Sequence, residues 1–365
     1  MCENIFPCSH FSDSDQSDSS KRAERRLIEA ESCDDANNKV PMTPESDLVF
    51  NVLRHPFKLK LRPRGMADEG FGFPIRKINF GETIHVVIGS QGELTRIDDE
   101  GKTISPPSRP FPASVVDGLV FEDKWIGTWL EREFGVARMA ALGLSDEWTD
   151  GPGKDILRSR QLISTQTNPN GAIWHRTLDS EPIKVGRSSE GIVFCTSSGL
   201  YMIDQNANEV WRSQIPSWIE ISESGIFDRI ISIIETPEGL AILSQAGGFA
   251  LIDSSDGSIL FSKVISFRDK LSDAIYKKDG GWFIMLHGRA IALMENFDAD
   301  PEFIETPGPV QFSNFVDDEW IWTGWRHDGR KSGENQFSEG RDEIGIAILN
   351  DRVLTNDGTW TKFLA

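Results

Sequence analysis

The densest group of side chains suited to molecular recognition lies near the C-terminus, between Glu319 and Asp342. Three tryptophans there enter a polar, glycine-containing stretch that we interpret as a long loop rich in cationic groups. Aromatic and arginine side chains on such a loop are typical of a protein-binding hot spot. The alternative for Trp320 and Trp322 is packing between sheets, because they share one face of a strand. The residues predicted to bind a partner are Trp325, Arg326, His327, Arg330 and Lys331.

The histidines offer a second, weaker set of candidates. His85 and His287 lie inside or at the end of apolar strands, which favours structural roles. His175, within Ile173–Arg176, and His327, after Trp325 and Arg326, are the better site candidates. The sequence contains no phosphate-binding loop, nucleophile elbow, zinc-protease helix motif or calcium-binding loop. We therefore predict no catalytic residue.

The cysteines concern metal binding and compartment. Three of the four lie in the first tenth of the chain, and Cys195 lies in an apolar run. Cys2, Cys8, Cys33 and His10 could form a zinc site, but the usual closely spaced cysteine pair is missing. Free thiols in a reducing compartment are the favoured interpretation, so we predict a cytoplasmic protein without metal or cofactor.

Charge and composition exclude several classes of function. The chain has 365 residues and a formal net charge of −19, which makes binding to a nucleic-acid backbone or an anionic membrane electrostatically unfavourable. No apolar run reaches the length of a membrane helix, and no secretory leader is recognised. With 38% hydrophobic residues the chain can form a core. We expect a soluble monomer, and the acidic surface suits a cationic protein partner without requiring one.

Composition changes near residue 45 and suggests two regions. Residues 1–45 contain the acidic-serine run Ser12–Ser20 and the basic cluster Lys21–Arg26, with too little apolar surface to offset the entropy of ordering. The basic cluster alone is weak support for nuclear import. We predict a disordered tail over residues 1–45 and a folded domain over residues 46–365.

From residue 78 onward, short apolar strands end at Gly, Asp or Asn, and no long amphipathic helix is visible. One pattern recurs at residues 92–104, 199–211 and 248–261: glycine, a strand, an aspartate turn, then a second strand. An aspartate side chain bonds its own backbone in such turns, and Gly or Asn supplies the left-handed residue. We therefore assign structural roles to Asp98, Asp204 and Asp253.

The spacing of the strands predicts a β-propeller. Apolar strands centred near residues 87, 127, 194, 242, 284 and 322 are separated by 40, 67, 48, 42 and 38 residues. Four steps match the roughly 40–50 residues of a four-stranded blade, and the long step indicates an insertion or a degenerate blade. The fold class expected is all-β, with about six or seven four-stranded blades. The rival fold is a pair of two-sheet sandwiches.

The copy at 199–211 resembles the repeat of the PQQ-like propellers, in which a strand, an aspartate turn and a closing tryptophan recur in successive blades. Trp211 holds the closing position, Phe261 replaces it in the copy at 248–261, and Ile104 in the copy at 92–104. The resemblance implies a propeller of PQQ-like or WD-repeat type over residues 78–365. No residue here matches the family's cofactor or calcium sites, so no quinone is implied.

These observations predict a noncatalytic propeller that binds a protein partner through its loops, although a fold does not by itself define a function. Two alternatives remain open. One is a hydrolase-like enzyme, and the other is a sensor of a small ligand or metal; both would have the site at the mouth of the central channel. Polar groups with perturbed pKa values clustered there would favour the enzyme.

Overall fold

The computed structural model describes residues 70–133, 135–158 and 167–364. They form an all-β propeller of seven antiparallel blades, so the predicted fold class is confirmed. Five blades have four strands, and the first and last have three each. The predicted tail over 1–45, the domain start at residue 46 and the possible zinc ligands lie outside the described residues.

The strands follow one another outward in every blade. Blades 1 and 2 contain β1 (Ile75–Asn79), β2 (Ile84–Gly89), β3 (Leu94–Asp98), and β4 (Val115–Phe121), β5 (Lys124–Glu131), β6 (Val136–Gly143), β7 (Ala172–Thr177). Blades 3 and 4 contain β8 (Pro182–Ser188), β9 (Gly191–Thr196), β10 (Leu200–Ile203), β11 (Glu209–Ser213), and β12 (Ile230–Thr236), β13 (Gly239–Ser244), β14 (Gly248–Ile252), β15 (Ile259–Val264). Blades 5 to 7 contain β16 (Leu271–Lys277), β17 (Gly281–Leu286), β18 (Ala290–Met294), β19 (Glu302–Glu305); β20 (Val310–Val316), β21 (Glu319–Gly324), β22 (His327–Ser332), β23 (Asn335–Gly340); and β24 (Gly345–Leu349), β25 (Arg352–Thr355), β26 (Trp360–Lys362).

The innermost strands surround a central channel. Each contacts the innermost strand of the next blade, from β1 through β24, and β24 contacts β1. Blade 7 also bonds to blade 1: the Asn350 Nδ2 group donates to the Asp99 carbonyl at 2.8 Å, and the Ile75 N–H donates to the Asn356 carbonyl at 2.9 Å. The ring is therefore closed by direct contact between the first and last blades.

The sequence pattern locates one strand in each of the first six blades. All six predicted centres fall in second strands, namely β2, β5, β9, β13, β17 and β21, which are nearly all buried. The 67-residue step is explained by an insertion at residues 144–171, between β6 and β7, that carries the short helix α1 (Lys154–Arg158). A second helix, α2 (Ile219–Glu223), lies between blades 3 and 4.

The seventh blade begins at β24, and its second strand has only four residues. One local assignment from the sequence is wrong. The stretch after Gly324 is not one long loop, because most of it forms β22 and β23. The sequence pattern did not reveal these strands, because polar and small residues alternate in them. The outer strand, β23, is exposed and has no apolar face to bury.

The core lies between neighbouring blades and is rich in aromatic rings. Trp125 and Trp129, four residues apart on β5, are both fully buried and meet edge to face with centroids 5.5 Å apart. Trp320 and Trp322 on β21 are also buried, as the packing alternative predicted. Cys195 is a free, buried thiol whose pKa burial raises to about 12, so it behaves as a core side chain.

Candidate functional site

A cavity of about 1180 Å³ opens where the innermost strands begin, at one end of the channel. We call it the mouth cavity. All seven blades contribute to its wall, together with the segment between β11 and β12 (residues 214–229). Ligands commonly bind in concave sites that several elements of a fold share.

The same irregularity forms the wall in every blade. The pairing of the innermost with the second strand shifts register near its first residue, which leaves a β-bulge at seven equivalent positions. A bulged residue is not held in the ladder and can aim its side chain differently from its neighbours. All of these residues line the cavity: Arg76, Val116 with Asp117, Ile183, Ile231, Ser272, Gln311 and Ile346.

Asp117 of blade 2 contacts blades 1 and 3 at the mouth cavity. Its carboxylate lies 2.6 Å from the Lys77 ammonium of blade 1 and 4.0 Å from the Lys184 ammonium of blade 3, and it accepts the Val185 N–H at 3.1 Å. Burial by itself would raise the pKa of Asp117, but the two ammonium groups and these hydrogen bonds lower it to about 2. Asp117 is therefore a carboxylate at every physiological pH.

Lys184 extends the polar network across the ring. Its Nζ lies 3.2 Å from Asp273 of blade 5, whose other oxygen accepts a hydrogen bond from Ser232 of blade 4 at 2.5 Å. Burial alone would lower the pKa of Lys184, but Asp273 and Asp117 raise it. The pKa of Asp117 and the pKa of Lys184 are thus both shifted further from neutral pH. A general acid or base needs a pKa near the working pH. Asp117, Lys184 and Asp273 therefore form an ion network between blades 2, 3 and 5.

Residues 214–229 form a fixed rim at the cavity. Trp218 is buried and donates its indole N–H to the Phe249 carbonyl at 3.1 Å, and Ile221 packs into the same core. At the far end, the Asp228 carboxylate accepts the Ala246 N–H at 2.9 Å. Because both ends are anchored on blade 4, the rim is held in place without a bound partner.

The rim nevertheless exposes large apolar side chains. Ile219 is 72% exposed, Ile226 50% and Phe227 74%, and the last two line the mouth cavity. Exposed apolar groups clustered beside a concavity mark interaction surfaces more often than isolated ones do. This apolar rim is not among the sites predicted from the sequence. The signal that could have found it is the run Ile215 to Phe227, which carries apolar residues outside any blade repeat.

The predicted partner-binding residues fall into exposed and buried groups. Trp325 is 54% exposed at the turn between β21 and β22, and Arg330 is exposed on β22. Lys331 pairs with Glu302 at 2.9 Å. Arg326, at a positive φ of 62°, donates from Nε to the Asp342 carbonyl at 2.9 Å. His327 is completely buried, burial lowers its pKa, and its Nδ1 lies 3.2 Å from the Trp325 carbonyl oxygen.

The other histidines are dispersed. His175 is exposed on β7 of blade 2, so the structure does not bring it together with His327 of blade 6. His85 is buried and its Nδ1 accepts the Gly81 N–H at 3.2 Å, whereas His287 is exposed in the mouth cavity with Nε2 2.9 Å from Nε2 of Gln245. The structural roles expected for His85 and His287 stay predictions. Among the described residues no three His, Cys, Asp or Glu side chains are arranged to hold a metal ion.

The repeat aspartates lie in the hairpin turns between third and fourth strands or their equivalents. The Oδ1 atoms of Asp98, Asp204 and Asp253 accept backbone N–H groups two residues onward at 2.8–3.1 Å. The turn carbonyls then bind the preceding blade. Trp211 Nε1 donates to the Ser254 carbonyl of blade 4 at 2.8 Å, and Trp174 Nε1 donates to the Gln205 carbonyl of blade 3 at 2.9 Å.

These features define the class as a seven-bladed β-propeller with a bulge-lined channel mouth. No family model matches the chain, and no curated protein matches its sequence significantly. Solved structures do match it. The WD40 propeller domain of Doa1 shares 9% identity at a TM-score of 0.52, covering 80% of this chain and 93% of that one.

Two further structures give the same picture. The propeller domain of Cps50 (Swd1) from Myceliophteria thermophila shares 10% identity at a TM-score of 0.52, covering 75% of this chain and 88% of that one. The computationally designed protein Ika8 shares 9% identity at a TM-score of 0.51, covering 81% and 97%. At these identities the likeness shows the propeller fold alone. None of the described helices is long and apolar enough to span a bilayer.

Proposed function

We propose that this protein is a noncatalytic propeller that binds a protein partner at the mouth cavity. The observation that carries the proposal is the apolar rim, formed by Ile219, Ile226 and Phe227, beside a cavity of about 1180 Å³. Burying apolar surface supplies most of the free energy of protein association.

Preorganisation supports the proposal. Trp218, Ile221 and Asp228 hold the rim to blade 4, so binding need not pay for ordering it. A rigid rim with protruding aromatic and branched side chains resembles the centre of a binding hot spot. The WD40 likenesses are compatible with a protein-binding propeller but establish no partner.

The surface at Trp325, Arg326, Arg330 and Lys331 is the competing site. Its tryptophan is exposed, but Lys331 already pairs with Glu302 and Arg326 with a backbone carbonyl. Groups engaged within the protein must give up those contacts to bind a partner. For this reason we place the partner at the mouth cavity and use the other surface as the control.

Groups with perturbed pKa values, the feature that would favour an enzyme, do line the cavity: Asp117, Lys184 and Arg76. Asp117 and Lys184, however, stabilise each other as charged groups, which favours an ion network over proton transfer. A small-ligand sensor is the second candidate, because the cavity is large enough for a drug-sized molecule and has polar walls. The cytoplasmic location and monomeric state remain predictions from cysteine usage and charge.

The test compares two matched variants during affinity purification from the native cell. One carries Ile219→Ser, Ile226→Ser and Phe227→Ser, and the other carries Trp325→Ser, Arg330→Ala and Lys331→Ala. Quantitative mass spectrometry should show protein partners of the wild type lost from the rim variant and kept by the second variant. Retention of every partner by a folded rim variant would refute the mouth cavity as the binding site.

A further inference from the structure

The charges of the mouth cavity differ in balance from those of the whole molecule. The chain carries a formal charge of −19, yet five cationic side chains line the cavity against four carboxylates. The cations are Arg76, Lys77, Arg132, Lys184 and Arg229, and the carboxylates are Asp117, Glu181, Asp228 and Asp273. The cavity is thus a locally cationic surface on an acidic protein.

The carboxylates of the cavity already have partners within the protein. Asp117 binds Lys77 and Lys184, and Asp273 binds Lys184 and Ser232. The two remaining carboxylates are also used, because Glu181 pairs with Arg132 at 2.9 Å and Asp228 accepts the Ala246 N–H. A ligand would find no unengaged anion here.

Within the described part of the chain the two other arginines form no ion pair with a carboxylate, although Asp117 acts electrostatically on Arg76 and partly offsets the lowering of its pKa by burial. Among the described residues, no hydrogen bond or ion pair engages the guanidinium of Arg229, which is exposed at the end of the rim. The Arg76 guanidinium, at the bulge of blade 1, donates to the Val116 carbonyl at 3.2 Å and retains further N–H groups. An arginine guanidinium binds a carboxylate through two parallel hydrogen bonds when one is available.

The apolar rim continues directly into this cationic wall. Ile226 and Phe227 precede Arg229 by three and two residues, and all three line the same cavity. A partner that covers the rim therefore brings its neighbouring side chains to guanidinium groups that retain free N–H donors. Favourable charge matching at such a site requires carboxylates on the partner.

We infer that the partner inserts an acidic peptide segment with at least one large apolar side chain into the mouth cavity. The apolar side chain packs on Ile226 and Phe227, and the acidic side chains bind Arg229 and Arg76. This inference rests on the proposed function and specifies its ligand. It opposes the expectation from net charge that the partner is cationic.

The experiment is selection of displayed random short peptides on the purified full chain, followed by fluorescence anisotropy with the enriched peptides. Peptides combining Asp or Glu with Leu, Ile or Phe should dominate. Binding should weaken as ionic strength rises, and replacing the peptide's acids with amides should weaken it about tenfold or more. The double variant R76A/R229A should show a similar loss, with Arg229→Lys weakening binding less than Arg229→Ala.

Three controls separate the possible failures. Arg330→Ala should bind like the wild type, and thermal melts confirm that each variant is folded. Enrichment of basic peptides, or equal binding by the double arginine variant, would overturn this inference while leaving the proposed function standing if Phe227→Ser still abolishes binding. Binding unaffected by Phe227→Ser would instead overturn the proposed function.

Discussion

Single side chains connect neighbouring blades through the turn carbonyls of the repeat. Trp211 does so with a buried ring and one hydrogen bond to the Ser254 carbonyl, and Gly257 of the same turn lies directly beneath its indole. Trp174 makes the equivalent bond one blade earlier. In blade 7 the ring of Trp360 lies against Gly101, while Asn350 supplies the hydrogen bond to Asp99. Blades 2, 3 and 7 thus each contact a turn of the next blade, although the residues that make the contact differ.

Replacing Trp211 with alanine should destabilise the protein by about 3–5 kcal/mol, because it removes a large buried side chain and leaves a cavity between blades 3 and 4. Arg330→Ala is the control, since this exposed side chain should change stability by no more than about 0.5 kcal/mol. Urea melts of both variants measure the difference. Equal, small effects would show that the interblade contact contributes little.

At the scale of elements, the sequence identifies the positions where the backbone conformation requires a particular residue type. Asp98, Asp204 and Asp253 are visible because turn chemistry requires their residue type. The bulge positions cannot be recognised in the sequence, because a side chain outside the ladder is free to vary and the eight residues at the seven bulges share no chemistry. The mouth cavity cannot be predicted from the sequence for the same reason.

Other misses also have physical causes. Trp174 is separated from its repeat by the insertion at residues 144–171, so the closing position could not be aligned. Blade 7 has a second strand of four residues, too short to show a period of two. Arg76 and Arg229 look in the sequence like ordinary surface arginines, and only the ring brings both to one cavity.

A pair of glycines tests the turn that receives Trp211. Gly257 and Gly333 both have positive φ, at 76° and 53°, so alanine should strain either by about 1 kcal/mol. A Cβ atom at Gly257 would lie 2.6 Å from the Trp211 ring, whereas nothing lies within 4 Å at Gly333. Gly257→Ala should therefore cost about 1–3 kcal/mol more than Gly333→Ala in urea melts. Equal costs would mean that the turn moves away from the ring without penalty.

At the scale of the whole molecule, the polar network joins blades that are distant in sequence. Lys77, Asp117, Lys184, Asp273 and Ser232 belong to blades 1, 2, 3, 5 and 4. The other two blades place Phe312 and Ala347 next to their bulges. Five of the seven blades are thus connected through polar side chains at the channel, and blades 6 and 7 through apolar ones.

The lowered pKa of Asp117 predicts how stability depends on pH. Its carboxylate has a pKa of about 2 in the folded protein against an ordinary value of 3.8, so the folded state favours the charged form. This stabilises the protein by about 2 kcal/mol above pH 4, and the contribution is lost as the pH falls toward 2. Asp117→Asn should destabilise the protein at neutral pH and flatten the acid limb of the stability profile.

Asp300→Asn is the matched control, because Asp300 is an exposed carboxylate. Denaturant melts between pH 2 and pH 7 should give this variant the wild-type profile. A wild-type acid limb in Asp117→Asn would show that the ion network does not couple folding to protonation.

The seven bulges have a consequence for how this ring can change over time. A ladder residue is constrained by the sheet on either side, but each bulged residue faces the channel without a pairing partner. Asp117 belongs to the ion network and Ile231 is buried, but the more exposed bulged residues can be exchanged at less cost to folding, and all seven bulges line one cavity. The residues that determine specificity are therefore largely separate from those that determine the fold. A new ligand preference can evolve, or be designed, through substitutions at a few positions that lie far apart in the sequence.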